Sequence, residues 1–377
     1  MSSLNYLHKL LDSVEVAWRP LADVVEFKRG EQLKPIDIVP GSYPIVTASK
    51  TEVGSHSEWN FGPLSVTVTS HGAYAGHVNY WPTPIWLANN VFLLSPISQL
   101  NPKFLYFFLK SNELKIQGLA KGGGVPYFNT RDLAPLLIPI PCPDNPKKSL
   151  EIQAEIVRIL DAFTELTTEL TTELTARKKQ YNHYRDQLLS FEDGKVEWKN
   201  LGDVATIGTG SHDTQDAIVD GKYIFYARGR EPLRLNNFDF DETAIITAGD
   251  GAGVGKVFHY AEGKYALHQR AYRIVPGSTV NPRFVYHCIK SHFYAYIQKA
   301  SVSSSVTSLR RPMFLEFPIP VPSLKEQARI VAILDKFDAL TESLIVGLPR
   351  EIELRQKQYE HYRDLLLSFP KPDEVEA

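Results

Sequence analysis

Leucine recurs at every fourth position in the middle of the chain, where Thr164–Thr175 reads TELTTELTTELT, a repeat of one four-residue unit. Leu166, Leu170 and Leu174 continue an apolar series that includes Ile156. This spacing lines one face of a helix and places acidic residues on another, and it outweighs the weak helix propensity of threonine. The pattern predicts a long helix, in which the repeat is either a spacer of countable length or part of an ordinary amphipathic core helix.

The chain is a tandem duplication, because most of its motifs occur twice. The paired segments are Trp18–Val24 and Trp198–Val204, Ser70–Val78 and Gly249–Val257, Asn101–Phe104 and Asn281–Phe284, Ile138–Pro141 and Phe317–Pro320, Gln153–Phe163 and Gln327–Phe337, and Arg177–Phe191 and Arg355–Phe369. The last pair is identical at 12 of 15 positions, whereas the blocks before the helices share only framework positions. This unevenness indicates helices with one common task and blocks with different tasks.

The two helical segments differ in length by one repeat unit. The shared motifs Gln153–Phe163 and Arg177–Phe191 are separated by 13 residues in the first copy, and their counterparts by 17 in the second. In the second copy Gly347 and Pro349 stand where the first copy has its TELT repeat. Because proline removes a helical hydrogen bond and clashes with the preceding turn, we expect the second helix to be kinked or broken there.

The blocks before the helices are predicted to be rich in strands. Leu64–Thr69 and Ala244–Ala248 alternate or run apolar as strands do, and both lead into glycine-rich turns. Asn101 and Asn281 are predicted helix N-caps, because a proline follows each at the first helical position. The segments IPIP and FPIP are expected to be extended and to lead the chain into its long helices.

Composition excludes several protein classes. The 377 residues allow two or three domains. Only Cys142 and Cys288 occur, too few for a disulfide framework or a cysteine zinc site, and this favours a reducing cytoplasm. No run of eighteen apolar residues is present and the first residues do not resemble a signal peptide, so the sequence predicts neither a membrane span nor a secretory leader.

Charge is distributed unevenly although the formal net charge is only −2. Residues 18–150 hold 12 Lys and Arg against 9 Asp and Glu, and residues 195–324 hold 15 against 12. Both strand-rich blocks are therefore modestly basic, and the excess acid lies in the helical segments. This distribution is compatible with nucleic-acid binding by the blocks.

The motifs that would indicate catalysis do not fit their patterns. Gly249–Lys256 (GDGAGVGK) departs from a phosphate-binding loop, because Asp250 replaces the first glycine and Val257 follows the lysine. The counterpart in the first copy is SHGAYAGHV, so a turn shared by both copies is predicted instead. The eleven histidines form no pair with zinc-ligand spacing. The sequence therefore predicts a protein that is not an enzyme and has no metal site.

With its duplication, its TELT repeats and its RKKQYNHYRDQLLSF and RQKQYEHYRDLLLSF helix ends, the chain closely resembles the DNA-specificity subunit of type I restriction-modification systems. The TELT run resembles the TAEL-type spacer repeats of one branch of that family. The resemblance covers essentially the whole chain.

The resemblance implies an α+β fold: a tandem duplication of a strand-rich target-recognition domain followed by a long helix. The two long helices would pack as an antiparallel coiled coil with pseudo-twofold symmetry. It implies a non-catalytic subunit that reads a bipartite site in double-stranded DNA. The implied partners are two modification (methyltransferase) subunits and restriction (translocase and nuclease) subunits. S-adenosylmethionine, ATP and Mg²⁺ would belong to those partners.

The expected domain organisation follows the repeats. It comprises an N-terminal helix over residues 1–17 that completes a pseudo-ring, recognition domain 1 over 18–148, a spacer helix over 149–194, recognition domain 2 over 195–324, a C-terminal spacer helix over 325–369 and a tail over 370–377.

Divergent polar loops on a common scaffold are where different half-sites would be encoded. The candidate DNA-contacting residues of the first domain are Lys50, His71, Tyr74, Lys121, Tyr127, Asn129 and Arg131. Those of the second are Arg228, Arg230, Lys256, His268, Gln269, Arg270, Thr307, Arg310 and Arg311. Asparagine and glutamine suit adenine and arginine suits guanine, while Lys and Arg on phosphates supply affinity that is independent of sequence.

Structural alternatives remain open for these residues. Arg131 could pair with Asp132 and Arg310 with Glu316, and the segment 268–270 could lie in a strand facing solvent. For the whole protein, a different class is a scaffold of two sheet-rich modules on a coiled coil that binds protein or carbohydrate. A steep fall of affinity for duplex DNA with rising salt distinguishes a DNA reader from such a scaffold.

Overall fold

The computed structural model of this chain describes residues 14–97, 99–192, 194–251, 253–300, 308–343 and 346–369. The chain divides into two units, of which the first comprises residues 1–169 and 352–377 and the second residues 170–351. Each unit contains one strand-rich block and parts of both helical segments.

In its described residues, the first unit contains three small sheets. Its described strands are β1 (Val16–Pro20), β2 (Val25–Arg29), β3 (Tyr43–Val46), β4 (Ser55–His56), β5 (Ser65–Thr69), β6 (Val78–Trp81), β7 (Trp86–Leu87), β8 (Val91–Pro96) and β9 (Leu137–Pro141). An antiparallel sheet has the order β2-β8-β5-β6. A second sheet has the order β4-β3-β7, with β3 and β7 parallel. Strand β1 pairs with β9, so the strand-rich block begins and ends in one ribbon.

The described residues of the first unit include four short helices and part of a long one. They are α1 (Leu21–Val24), α2 (Pro102–Ser111), α3 (Glu113–Gln117), α4 (Thr130–Leu133) and the first part of α5 (Pro146–Leu188). Helix α2 packs on β5 and β6. Its Phe104, Leu105 and Phe108 are buried in the main core of the unit. Apolar residues at positions i, i+1 and i+4 of a helix lie on one face, which explains why α2 buries that face.

The second unit repeats this plan, but its described strands form one six-stranded sheet beside a two-stranded antiparallel ribbon made by the first and last strands of the block. Its described strands are β10 (Glu197–Asn200), β11 (Ala205–Thr209), β12 (Tyr223–Tyr226), β13 (Leu233–Leu235), β14 (Phe240–Ala248), β15 (Phe258–Leu267), β16 (Ala271–Pro276) and β17 (Pro318–Val321). Six of them form a sheet in the order β11-β16-β14-β15-β12-β13. Strand β15 pairs with β14 and with β12, as β6 and β7 separately pair with β5 and β3 in the first unit. A single strand of 10 residues thus joins what the first unit keeps as two sheets.

The helices of the second unit are α6 (Leu201–Val204), α7 (Pro282–Ala300), α8 (Arg311–Leu315), α9 (Leu324–Thr341), the start of α10 (Leu348–Leu367) and the later part of α5. Helix α7 packs on β14, β15 and β16 and also on α9. Its aromatic core includes Phe293, whose ring stacks on Phe314 of α8 with centroids 4.8 Å apart. The sheet, α7 and the paired helices therefore form successive layers of one core.

Equivalent aromatic pairs join the helical segments inside each unit. In the first unit Phe163 of α5 stacks on Tyr362 of α10, with ring centroids 5.2 Å apart. In the second unit Phe337 of α9 stacks on Tyr184 of α5 at 5.8 Å. By the sequence repeats, Phe163 corresponds to Phe337 and Tyr184 to Tyr362. The duplication therefore uses one contact twice, with the partners exchanged between the helical segments.

The direction of this packing is antiparallel. Tyr181 packs on Phe337, whereas the groove farther along α5 is lined by Leu188 and Phe191 together with Glu326 and Arg329 at the start of α9. Positions nearer the C-terminus of α5 therefore contact positions nearer the N-terminus of α9. These contacts of the second unit confirm the expectation of antiparallel helix pairing in an α+β tandem duplication.

A buried glutamine joins each helix to its strand-rich block. Gln153 accepts a hydrogen bond from the backbone N–H of Asn101 at 2.8 Å and donates to the carbonyl of Gln99 at 2.7 Å. Gln327 accepts from the N–H of Asn281 at 2.7 Å. Both glutamine side chains are fully buried. The bond from the N–H of the capping asparagine to the glutamine Oε1 is therefore shared by both units, and it places α2 on α5 and α7 on α9. The other end differs, because the amide of Gln327 donates to the carbonyl of Pro322 at 2.8 Å.

The predicted N-caps lie at these junctions. The side chain of Asn101 accepts from the N–H groups of Lys103 and Phe104. That of Asn281 accepts from Arg283 and Phe284. Both caps are confirmed, and each satisfies two N–H groups that a helix start otherwise leaves without a partner.

Ion pairs reinforce each junction about two turns farther along the long helix. Lys103 Nζ lies 2.7 Å from Asp161 Oδ2, and Arg283 Nε lies 2.7 Å from Asp335 Oδ1. The two aspartates occupy equivalent positions of the repeated helix motif. Each strand-rich block is thus held to its helix by equivalent charged contacts as well as by the glutamine.

The second helical segment is broken, as the sequence predicts. Helix α9 ends at Thr341, α10 begins at Leu348, and Pro349 lies in its first turn. Gly347 has φ 102°. A Cβ at that position would lie 2.3 Å from the carbonyl oxygen of Ala339, so only glycine fits the turn that closes on the end of α9.

The first helical segment is continuous through the TELT repeat, and the boundary between the two units falls inside it, after Glu169. Threonine hydroxyls bond back to the helix: Thr164 donates to the carbonyl of Leu160 at 3.0 Å and Thr168 to that of Thr164 at 2.9 Å. This bonding satisfies the hydroxyls locally, although it gives no added helix propensity.

Other sequence predictions need adjustment. A helix was expected over residues 1–17, but residues 1–13 lie outside the described residues, as do residues 370–377 of the expected tail. Within the described part, Val16 and Ala17 belong to strand β1 and not to a helix. These residues form backbone hydrogen bonds with β9 in an antiparallel ladder.

The units also divide within α5, and not at residues 148 and 194, because each block packs on its adjoining part of both helical segments. Among the described residues, no helix is both long and apolar enough to cross a membrane.

We expect Gln153→Ala to destabilise the first unit by about 1–3 kcal/mol, because it removes the partner of the Asn101 N–H and of the Gln99 carbonyl. Hydrogen exchange of the Asn101 amide and chemical denaturation measure the loss. The matched control is Gln356→Ala at an exposed position of α10, where the expected change is within about 0.5 kcal/mol. Equal effects of the two substitutions would contradict the role assigned to the buried glutamine.

Candidate nucleic-acid interface

Four loops converge at one edge of the first unit. Backbone hydrogen bonds join them in series: Ala88 N donates to Val46 O at 2.9 Å, Ser70 N to Asn90 O at 3.0 Å, and Phe128 N to Ser70 O at 3.1 Å. We name these loops the first loop cluster, which comprises residues 47–51, 70–77, 88–90 and 121–131. The bonds connect strand ends that are far apart in sequence and hold the loops side by side.

The second unit has the same framework. His268 N donates to Tyr226 O at 3.0 Å, Gly249 N to Arg270 O at 2.8 Å, and Leu309 N to Gly249 O at 2.7 Å. The second loop cluster comprises residues 227–231, 249–251, 253–256, 268–270 and 308–311. Each of the three bonds has its counterpart in the first unit. The backbone framework is therefore shared, and the side chains that it presents are free to differ.

The described residues of the glycine-rich segment, 249–251 and 253–257, form a turn, as the sequence predicts. It connects the antiparallel strands β14 and β15, as residues 70–77 connect β5 and β6. A strand follows it, whereas a phosphate-binding loop opens a helix. The segment therefore does not have the context of a nucleotide site.

The residues predicted for the first domain all lie in the first loop cluster. The rings of His71 and Tyr127 are stacked, with centroids 6.0 Å apart and an interplanar angle of 17°. Lys50 Nζ lies 5.4 Å from the centroid of the Tyr74 ring. Tyr74 and Tyr127 are each 41% exposed. The cluster thus presents aromatic faces and a lysine, which suit bases or sugars and phosphates respectively.

Asp132, the acidic residue next to this cluster, makes its contacts within the same loop. Asp132 forms an ion pair with Lys121 and accepts a hydrogen bond from the backbone N–H of Asn129 at 2.9 Å. The side-chain hydrogen bond from Lys121 holds the pKa of Asp132 below its ordinary value. The alternative pairing of Arg131 with Asp132 is therefore wrong. Arg131 is exposed, and within the described part of the chain its guanidinium forms no ion pair.

The second loop cluster contains two arginines on one carboxylate. Arg228 Nη1 lies 2.9 Å from Asp250 Oδ1, and Arg270 Nη1 lies 3.1 Å from Asp250 Oδ2. Burial alone would raise the pKa of Asp250, but hydrogen bonds from Arg228 and Arg270 outweigh it and hold this pKa below its ordinary value. Asp250 is therefore ionised at neutral pH and bridges three loops.

Of the candidates Gln269 and His268, which lie next to Arg270, one is exposed and the other is buried. Gln269 is exposed and donates from Nε2 to Asp213 Oδ2 at 2.9 Å. His268 is only 1% exposed, and its Nδ1 accepts a hydrogen bond from the Arg270 N–H at 2.9 Å. Its ring is covered because it stacks on Phe225 beneath the turn. His268 therefore supports the turn that presents Gln269 and Arg270, and its ring is not exposed as the rings of the first loop cluster are.

The remaining basic candidates of the second domain surround the cluster. Lys256 Nζ lies 5.1 Å from the Tyr294 ring. Lys256 and Arg230 both line a cavity of about 560 Å³ that is also lined by Lys178. Arg310 and Arg311 are exposed, and in the described ranges neither forms an ion pair, so the pairing of Arg310 with Glu316 is not found. Thr307 lies outside the described residues.

Sequence reasoning missed two acids, one within the second loop cluster and one beside it. Asp250 and Asp213 organise the basic and amide groups, but neither was selected as a site residue. One signal was present: Asp250 occupies the position equivalent to His71, in a turn that was already recognised as shared. Its arginine partners lie 20 or more residues away in sequence, so the ion pairs themselves could not be deduced.

One group of residues in the described chain could geometrically hold a metal ion, namely His287, Asp335 and Asp338. Their charges are already compensated. Arg283 Nε lies 2.7 Å from Asp335, and Lys290 Nζ lies 3.3 Å from Asp338. A cation placed there would face two fixed positive charges, so the group is better described as an ion-pair network between α7 and α9.

Comparison with known proteins gives a consistent set of similarities. A family model described as "Type I restriction modification DNA specificity domain" matches residues 13–178 and 194–354. The specificity subunit of the Escherichia coli type I restriction enzyme EcoR124I/EcoR124II is 36% identical over an alignment covering 100% of both chains. The EcoprrI specificity subunit of Escherichia coli is 33% identical, over 91% of this chain and 93% of that one.

Among solved structures, the S subunit of a type I restriction-modification system from M. genitalium superposes with a TM-score of 0.72. It is 20% identical, and the match covers 96% of this chain and 98% of that chain. At this identity the similarity concerns the fold alone.

We expect Gly76→Ala to destabilise the first loop cluster by about 1 kcal/mol or more, because a left-handed backbone disfavours a Cβ. Gly76 has φ 89°, and a Cβ there would lie 2.7 Å from Gln117 Cα. The control is Gly124→Ala in the same cluster, where a Cβ meets nothing within 4 Å and the change should be within about 0.5 kcal/mol. Thermal unfolding and hydrogen exchange of residues 72–77 measure both, and indistinguishable variants would refute the requirement for glycine.

Proposed function

The chain belongs to the type I restriction-modification DNA specificity family, and on this basis we propose that its two strand-rich blocks each read one half of a bipartite site in duplex DNA. The first loop cluster would read one half-site and the second loop cluster the other. Neither block performs the chemistry in this proposal. Methylation and cleavage would belong to partner subunits, which bring S-adenosylmethionine, ATP and Mg²⁺.

The observation that carries this proposal is the shared framework with different side chains. The three backbone hydrogen bonds that assemble each loop cluster are equivalent, whereas the residues that they present differ in charge and shape. Sequence is read by side chains on base edges. A constant framework with changed side chains is therefore suited to reading two different short sequences.

Charge supports the same proposal. The exposed Lys50 and Arg131 of the first cluster and Arg230, Lys256, Arg310 and Arg311 of the second provide cations beside the aromatic and amide groups. Cations of this kind bind phosphates and release counterions, so that log K falls by roughly 0.9 per contact for each unit of log salt. A scaffold for neutral carbohydrate would have no comparable salt dependence.

The repeated helical motifs support a second part of the proposal, in which the helices dock two modification subunits and, through the larger complex, restriction subunits. The helix ends RKKQYNHYRDQLLSF and RQKQYEHYRDLLLSF are nearly identical. Two copies of one surface suit two copies of one partner. The blocks, which differ, would face the DNA.

We expect Arg131→Ala and Arg310→Ala each to weaken binding of the cognate duplex by roughly 5- to 150-fold, since one base contact contributes about 1–3 kcal/mol. The assay is titration of the complex reconstituted with its modification subunits, over a series of salt concentrations. Arg19→Ala is the control, because Arg19 is exposed on β1, outside both loop clusters. Wild-type affinity in both loop variants at moderate salt would rule out these contacts, and a salt-independent wild type would rule out DNA reading itself.

We expect insertion or deletion of one TELT unit to change the gap between the half-sites by one base pair. Four residues add about 6 Å and about 40° to a helix, and the rotation is close to the ~34–36° of one base pair of B-DNA. The repeat lies in α5, and the two units divide within it, so an added or removed TELT unit changes the length of the helical segment that connects the two strand-rich blocks along the chain. Sequencing of bound or methylated sites measures the gap. A changed half-site at constant gap would contradict the spacer role.

A further inference from the structure

Asp250 joins guanidinium groups from two other loops of the second loop cluster. Arg228 and Arg270 each use one nitrogen, Nη1, to contact a different oxygen of this carboxylate. An arginine has five N–H donors in a fixed planar arrangement. The Nε and Nη2 groups of both arginines therefore remain outside their contact with Asp250.

The exposure of these groups indicates that stability is not their main purpose. The side chains of Arg270, Arg228 and Asp250 are 63%, 40% and 25% exposed. Ion pairs at such exposed positions contribute little to folding free energy. The carboxylate instead orients the two guanidinium groups, because its hydrogen bonds restrict the rotamers of both long side chains on the outer surface of the cluster.

The first unit lacks this arrangement at the same three positions. The framework hydrogen bonds make Arg228 equivalent to Ala48, Asp250 to His71, and Arg270 to Asn90. In the first unit His71 instead stacks on Tyr127. A brace that the loop framework needed would be present in both units. The cluster of charges is therefore a property of what the second unit presents.

We propose that Arg228, Asp250 and Arg270 form a guanine-reading site for one G·C pair of duplex DNA, in which Asp250 is a positioning residue for the two arginines. This inference rests on the proposed DNA-reading function and specifies the base that the second loop cluster selects. A guanidinium donates two parallel hydrogen bonds to O6 and N7 of guanine in the major groove. Because Asp250 already restricts the arginine rotamers, less side-chain freedom is lost on binding.

The charge of Asp250 adds a second effect. It is a negative charge on a surface that would approach phosphates, so it lowers the affinity of the cluster for DNA of any sequence. Guanine is favoured over adenine here because the cluster presents two guanidinium groups, whose parallel N–H donors match O6 and N7 of guanine. The site therefore combines guanine donors with a carboxylate that opposes non-specific binding.

The test uses the complex reconstituted with its modification subunits and a pool of duplexes with randomised positions. Sequencing of the bound fraction should give a half-site with a G·C pair whose preference depends on Arg270. Replacing that guanine with 7-deazaguanine removes N7 and should weaken wild-type binding. Arg270→Ala should reduce discrimination at that pair by roughly 5- to 150-fold and leave the other half-site unchanged. Arg270→Lys should not restore discrimination, because lysine lacks the paired donors.

Asp250→Asn separates positioning from a structural role. We expect it to reduce discrimination at the same G·C pair while raising affinity for unrelated duplexes, because it removes a negative charge. The charge-matched control is Asp241→Asn, at an exposed position near the start of β14 and remote from the turn that follows this strand. If Asp250→Asn does not fold, as judged by circular dichroism and thermal melting, Arg270→Ala and Arg270→Lys carry the test.

Several outcomes would overturn the inference. They are a parallel loss of cognate and unrelated binding in Asp250→Asn, an effect equal to that of Asp241→Asn, or Arg270→Ala altering no G·C preference. Failure of the proposed function itself is distinguishable, because the wild-type complex would then select no sequence from the pool at all.

Discussion

A buried glutamine at the start of each repeated helix determines where each block lies on its helical segment. Gln153 and Gln327 replace solvent as partners of backbone groups at the N-terminus of α2 and of α7. A buried group left without its partner is more costly than the bond itself is stabilising, so these bonds specify one position of the block on the helix. The ion pairs of Asp161 and Asp335 reinforce it. The sheets, the core beneath them and the loop clusters all follow from that placement.

The loop clusters show how one framework can serve two recognition tasks. Three backbone hydrogen bonds assemble the loops in each unit, and backbone bonds are indifferent to most side-chain changes. Stacked rings in the first cluster and paired arginines in the second therefore occupy equivalent places. Evolution of a new specificity in such a protein would require changes in the loops alone. The helices, with their nearly identical ends, would continue to bind the same partners.

Local patterns predicted the local structure well. The N-caps, the extended IPIP and FPIP segments, the shared turns and the helix break at Gly347 all depend on residues close together in sequence. The sequence did not predict the union of two sheets through β15, the pairing of β1 with β9 or the placement of Asp250 between two arginines, because these join distant segments. The burial of His268 was not predictable either, because its neighbours Gln269 and Arg270 are exposed while its own ring packs on Phe225. Composition was enough to identify the loops. The role of an individual side chain could be assigned only once the residues that contact it in the fold were known.

The central claim is that the two loop clusters form the DNA-reading surfaces. Hydrogen–deuterium exchange of the reconstituted complex, with and without its cognate duplex, tests it most directly. The account predicts slower exchange in residues 47–51, 70–77, 88–90 and 121–131 and in their counterparts of the second unit, with a cognate duplex and not with an unrelated one. Protection by cognate duplex that is confined to other surfaces, with both loop clusters exchanging as in the free complex, would contradict it.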